Sequence, residues 1–350
     1  MTINSNQALD GAGKRWRLRR LADADGFFSM VAIDQRPPLF ALLAGGLGCR
    51  PEELPYSEIV AAKRLLASAF ASQASAMLVD PNWGYVGAAD VLDPSRGLLL
   101  TLEDHRTTPD RRSRCIEQWS VEKIRAIGGD AVKLLAWYHP GAEAAVREHQ
   151  QAFVQQVGEE CARCELPFVL ELLLYPLDAA GATGAASRAA DYLEDPAKQS
   201  ELVLASVEHF AQPRYGVDLF KLESPLPARA VPASGGEGSE AWASTFTALG
   251  RACAGRPWVM LSAGAPPADF EAVVGYAARA GAAGFLAGRA LWADALVRWP
   301  DREAARAQLM SVSRERLRRL QRLMREEGRP WAPSPWAPGV TADGQLAQRR

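Results

Sequence analysis

Short apolar runs recur along the chain from Gly26 onward, and a polar residue stands at or just beyond the end of each. They span residues 27–34, 75–80, 97–102, 131–138, 167–175, 219–223, 258–262 and 284–288. Runs of this length, apolar almost throughout, mark strands buried on both faces, the habit of parallel sheets. Between most of them the apolar spacing changes to three and four residues, predicting helices over 56–71, 142–164, 200–211, 241–253 and 267–280. Eight strands alternating with helices favour closure into a barrel over an open doubly wound sheet, and no G-x-G-x-x-G follows the first strand. The expected fold is α/β, a single-domain (β/α)8 TIM barrel over residues 26–300. An N-terminal extension (1–25) precedes it, and a C-terminal helix (301–327) with a Pro-rich tail completes residues 301–350.

Composition narrows the class. The chain has 350 residues, 48% hydrophobic and 23% charged, with a net charge of −1. No global field attracts nucleic acid or an anionic membrane, so neither is expected as a partner. The basic run 14–20, KRWRLRR, reads as a helix packed under the barrel. The first residues lack the apolar core of a signal peptide, no run approaches 18 apolar residues, and the cysteines number five and are scattered. These features predict a cytoplasmic protein with reduced thiols. Two Ala/Gly-rich loops, 178–187 and 225–239, each follow a strand and so overhang the face where barrel enzymes do their chemistry, as lids or as tolerated insertions.

The polar strand ends carry the chemistry. Asp34-Gln35-Arg36, Asp80, Glu103-Asp104-His105, Glu171, Glu223, Ser262-Ala263-Gly264 and Gly288-Arg289 come from different strands, and a barrel collects such ends on one rim. Any single strand-end acid more often caps a loop; the joint pattern resists that explanation. Lysine is scarce, six of 40 basic residues, yet Lys133 and Lys221 sit inside strand-like runs. Burial disfavours an ammonium, and a lysine carrying a free amine can attack a carbonyl to form a Schiff base. Lys133 on the fourth strand and Lys221 on the sixth can both face the lumen, with Glu171 between them to move protons. The bland alternative is a structural Lys–Glu pair inside the barrel. The ends of strands seven and eight form the usual phosphate site of this fold, where Ser262, Gly264 and Gly288 offer backbone N–H groups and Arg289 a charge.

The segments MVAIDQR, AMLVDPNWG, GLLLTLED, WSVEKIRAIGGDAVKLLAWY, LPFVLELLLY, YGVDLFKLESP, WVMLSAG and GAAGFLAGRALW occur in this order. Together they resemble the class I tagatose-1,6-bisphosphate aldolases and the related sulfofructose-phosphate aldolases, from near Gly26 to Leu296. The resemblance implies cleavage of a ketohexose 1-phosphate to dihydroxyacetone phosphate and an aldehyde, with no metal and no cofactor. It implies Lys221 as the Schiff-base lysine, Glu171 as the proton shuttle, Lys133 as the second lysine and Asp34 as the aspartate of L-D-Q-R. Gln35 and Arg36 would adjoin the substrate, and Ser262, Gly264, Gly288 and Arg289 would bind its phosphate. A sugar phosphate is the expected partner, and a homo-oligomer the expected assembly. Rival readings are a barrel isomerase or lyase using Lys221 as acid or base, and a silent sugar-phosphate-binding regulator.

The chain departs from the family pattern in three places: Pro37-Pro38 after D-Q-R, expected to stiffen a loop; Ser224 in KLESP; and Trp137-Tyr138-His139 where the fourth strand ends. These bear on the distal half of the substrate. The CxxC of Cys161 and Cys164 has no second pair and reads as buried small residues. Gly11-Ala12-Gly13-Lys14 lacks the residues of a P-loop. His139 reads as a loop histidine.

Overall fold

Eight parallel strands close on themselves in sequence order, with the eighth pairing back to the first. They are β1 (Phe28–Ala32), β2 (Ala76–Val79), β3 (Gly97–Thr101), β4 (Ala131–Trp137), β5 (Phe168–Leu173), β6 (Leu219–Leu222), β7 (Trp258–Met260) and β8 (Gly284–Ala287). This computed structural model describes residues 11–106, 111–177, 194–195, 197–233 and 235–331. Each expected strand is present and shorter than its apolar run, because the polar ends leave the ladder and turn over the rim.

The expected helices are present as α3 (Tyr56–Phe70), α6 (Ala144–Arg163), α7 (Ser200–Phe210), α8 (Ser239–Ala252) and α9 (Pro267–Arg279). Five more belong to the barrel and its floor: α1 (Ala12–Leu21), α2 (Pro37–Leu47), α4 (Gly84–Ala88), α5 (Val121–Ala126) and α10 (Arg289–Leu296). The expectation that Pro37-Pro38 stiffens a loop is corrected, since both prolines open α2. A proline in the first helical turn loses no hydrogen bond, and its fixed φ suits the helix. The single C-terminal helix resolves into α11 (Arg302–Gln308), a π-helical turn (Leu309–Ser313) and α12 (Arg314–Glu327), with Asp301 capping the start by accepting from the Ala304 N–H at 2.9 Å.

Strand periodicity sorts the interior into layers. Val132, Leu134 and Ala136 of β4, Leu170 and Leu172 of β5 and Phe220 of β6 face out and join the helices in the main core. Phe28, Met30, Leu99, Val169, Leu219 and Val259 face in and fill the lumen toward the strands' N-terminal ends. Leu18 and Leu21 of α1 close that end from below. The basic helix is therefore a floor, tied down by Lys14–Asp218 and Arg20–Asp130 pairs of 2.7 Å each. Glu165 accepts the Gly13 N–H (2.8 Å) at its positive end. At the other end Leu135, Trp137, Leu173 and Leu261 form a second apolar layer. Lys133, Glu171 and Lys221 share the inward parity of these residues and lie between the two layers.

The loop at 178–187, the residues before Gly11 and the Pro-rich tail beyond Trp331 lie outside the described residues. The loop at 225–239 carries a short 3-10 turn, Ala228–Ala230. Among the described residues no helix is long and apolar enough to cross a membrane.

Candidate active site

The strand ends open into a cavity lined by Asp34, Gln35, Arg36, Glu103, Lys133, Glu171, Lys221, Ser262, Gly288 and Arg289. Leu135, Leu173, Leu261, Leu286 and Ala263 complete its wall. Nine of the ten residues expected from sequence are brought together here. Gly264 is not among the lining residues; Ala263 lines the wall in that turn.

Lys133 is enclosed by three carboxylates: Asp34 Oδ2 at 3.0 Å, Glu103 Oε1 at 2.8 Å and Glu171 Oε2 at 2.7 Å. Burial alone would discharge this lysine, but the three negative neighbours outweigh it and raise its pKa well above the ordinary value. Lys133 is a fixed ammonium. Burial likewise pushes the Asp34 carboxyl up, but Lys133, Lys221 and Arg36 overcome this and hold it well below the usual carboxylate range. Glu171 follows the same logic, its pKa lowered by Lys133 and Lys221 against the effect of burial.

Lys221 has a sparser setting. Glu171 and Lys221 are register partners on β5 and β6, and Lys221 Nζ donates to Glu171 Oε2 at 2.9 Å. That oxygen is the one Lys133 also approaches. Lys221 is buried, with relative exposure of 3%, against the cavity.

Glu103, named in the sequence only as one of three consecutive polar residues at a strand end and given no role there, lines the cavity. Besides holding Lys133, its carboxylate accepts the Leu135 N–H at 3.1 Å. Arg36, buried like Glu103, donates to the Glu103 carbonyl (2.9 Å) and carboxylate (3.1 Å). Arg36 thus fixes Glu103, and Glu103 fixes Lys133. A signal was available, because alternation from Leu99 through Thr101 puts residue 103 on the lumen face.

On the opposite side, Ser262-Ala263-Gly264 forms a tight turn closed by the Ala265 N–H donating to the Ser262 carbonyl at 2.7 Å. Ala263 (φ 43°) and Gly264 (φ 80°) are both left-handed, a costly state for an alanine. Arg289 begins α10, directly after Gly288. The glycine has a steric reason separate from the anion approach expected from sequence. A Cβ there would lie 2.5 Å from the Gln35 amide nitrogen, so the absence of a side chain admits Gln35 to the cavity. The Gln35 Oε1 is buried with no protein partner, although the residue lines the cavity.

Other strand-end acids belong to structural pairs. Asp80 receives Lys63 from α3, fully buried, and also accepts the Trp83 N–H (2.9 Å). Asp104 is held by Arg106 (2.8 Å) and Arg114 (3.3 Å). Glu223, two residues after Lys221, receives Lys198 at 3.1 Å. Burial and Arg36 push the His105 imidazole down to about 3, so it stands neutral beside the site.

At the end of β4, Trp137 joins the upper lumen layer; Tyr138, just beyond it, faces the helices, accepting from Gln151 at 2.9 Å and stacking on His209. Arg111 lies over the Trp137 ring (5.0 Å) and the Tyr175 ring (5.7 Å). His139 is a loop residue whose Nδ1 accepts the Gly141 N–H at 2.9 Å. Cys161 and Cys164 are buried, and burial pushes both thiols up.

A family model described as DeoC/LacD family aldolase matches residues 28–294. The tagatose 1,6-diphosphate aldolase of Streptococcus agalactiae serotype V is 30% identical over 336 residues, covering 91% of this chain and 97% of its own. Tagatose 1,6-diphosphate aldolase 1 of Enterococcus faecalis is 31% identical over 322 residues, covering 89% and 95% respectively. Among solved structures, a fructose-bisphosphate aldolase from Plasmodium falciparum superposes with a TM-score of 0.62 at 12% identity, over 94% of this chain and 98% of that one. That likeness is one of fold.

Proposed function

The chain belongs to the DeoC/LacD family of aldolases, and we propose that it cleaves a ketohexose 1-phosphate through a Schiff base on Lys221. The observation that carries this reading is the unequal setting of the two lysines. Lys133 is locked as an ammonium by three carboxylates, whereas Lys221 faces the same cavity with Glu171 as its acidic partner.

The steps follow from the contacts. A proton leaves Lys221 along its 2.9 Å hydrogen bond to Glu171, freeing the amine to add to the C2 ketone. Glu171 returns that proton to the C2 oxygen, a second passes to it from the attacking nitrogen, and it departs as water to leave a protonated imine. Glu171, again a carboxylate, takes the C4 hydroxyl proton as the C3–C4 bond breaks. The electron pair moves into the imine, giving an enamine and releasing an aldehyde. Protonation at C3 and addition of water return the amine and give dihydroxyacetone phosphate. Lys133 keeps Glu171 ionised between steps, and Asp34 and Glu103 keep Lys133 in place.

The Ser262–Ala263 turn and Arg289 are positioned to take the 1-phosphate. Arg111 lies over Trp137 and Tyr175, which pack with the leucines of the cavity wall; on this reading it would meet an anionic distal substituent, phosphate or sulfonate. A cleavage assay tests the reading. Release of dihydroxyacetone phosphate from tagatose 1,6-bisphosphate, fructose 1,6-bisphosphate or 6-deoxy-6-sulfofructose 1-phosphate supports it. Binding of all three with cleavage of none contradicts it.

A further inference from the structure

The Glu223 carboxylate, part of the Lys221 strand motif but absent from the reaction scheme, belongs to a buried cluster behind the phosphate side of the cavity. Lys198, fully buried at its side chain, donates to Glu223 Oε2 at 3.1 Å and to Glu194 Oε1 at 2.5 Å. Each acid is also tied to backbone: Glu223 Oε1 accepts the Leu174 N–H (2.7 Å), and Glu194 Oε2 the Ala228 N–H (2.7 Å). The Glu194 N–H then donates to the Ala263 carbonyl at 3.1 Å.

These bonds join the ends of β5 and β6, the segment leading into α7 and the Ser262–Ala263 turn. Ala263 is the strained member of that turn, with its left-handed φ of 43°. Strained backbone persists only where its surroundings over-determine it, and Glu194 supplies one such restraint from outside the turn. Lys198 in turn holds Glu194, since the buried Glu223 and the half-buried Glu194 share its ammonium as their common cation.

We propose that Lys198 is a positioning residue for anion binding, a latch that through Glu194 holds Ala263 and so shapes the turn receiving the substrate's 1-phosphate. This rests on the anion-site assignment above. It predicts a defect in recognising the phosphate and none in the imine chemistry at Lys221, because no member of the cluster touches Lys221 or Glu171 among the described contacts.

The test uses the full chain and three variants: Lys198→Met, Lys198→Arg, and Lys198→Met combined with Glu194→Gln and Glu223→Gln, which removes the charges that the single change would strand. KM for the ketose 1-phosphate and the inhibition constant of inorganic phosphate are measured together with kcat. The expected result is a rise of roughly tenfold in both constants for the Lys198→Met variants, kcat within about threefold of the parent, and partial recovery in Lys198→Arg. Unchanged constants in the folded triple variant overturn the latch while leaving the anion site standing. A parallel fall in kcat overturns it too, since the role is then general support. If inorganic phosphate fails to inhibit the parent enzyme, the anion-site assignment itself fails and the latch with it.

Discussion

Lys133 and Lys221, two strands apart, meet at one oxygen: Glu171 Oε2 lies 2.7 Å from the first Nζ and 2.9 Å from the second. Sharing that oxygen divides their labour. Lys133 has Asp34 and Glu103 as well and is held charged, while its charge keeps Glu171 ionised.

Replacing the nucleophile should therefore end turnover without ending the fold. Lys221→Met removes one partner of Glu171 and leaves Lys133 to hold it. Cleavage should fall by at least about 10³-fold, while thermal melting shows a folded protein. Near-normal turnover would remove Lys221 from the chemistry.

Lys133→Met should instead show its effect in stability and its pH dependence. In the parent protein Asp34 and Glu171 have lowered pKa values. They therefore add stability above the ordinary carboxylate pKa and lose it as pH falls through their lowered values. Without Lys133 these buried carboxylates are under-compensated, a cost of about 3–5 kcal/mol near neutrality. Acid then relieves it by protonating them. The gap in Tm between parent and variant should narrow from pH 7.5 to pH 5; a gap that widens over this range would contradict the assignment of charge.

Glu103→Gln keeps the shape of the side chain but removes one of the three charges on Lys133. It should lower kcat by about tenfold to a hundredfold with KM little changed, because Glu103 positions Lys133 and leaves the substrate to others. A change confined to KM would place Glu103 against substrate instead.

The two ends of the substrate should separate in a pair of variants. Arg289→Ala should raise KM for any ketohexose 1-phosphate by about tenfold to a hundredfold, the worth of a charge-assisted hydrogen bond. Arg111→Ala should raise KM for a 1,6-bisphosphate and leave a substrate with a 6-hydroxyl untouched. Equal effects on both substrates would take Arg111 away from the distal group.

The barrel was legible because its strands are buried on both faces, so that each reads as an unbroken apolar run, and because lysine inside such a run is conspicuous. Lys63 and Lys198 escaped notice since neither lies in an apolar run: one is on a helix and the other on a loop, although both are buried, as Lys133 and Lys221 are. Glu103 was hidden among three consecutive polar residues, and only strand parity distinguishes it from Asp104. Gly288 was readable as a close approach, but its neighbour Gln35 comes from the far end of the sequence. Pro37-Pro38 opens a helix because the chain turns into α2 directly after Arg36, a tertiary choice that the prolines permit and do not dictate.

The most direct measurement is intact-mass spectrometry with peptide mapping after incubation with dihydroxyacetone phosphate and borohydride. The account predicts one reduced adduct, on Lys221. An adduct on Lys133 would reverse the two lysines, and no adduct on folded protein that binds the ligand would contradict the Schiff base outright.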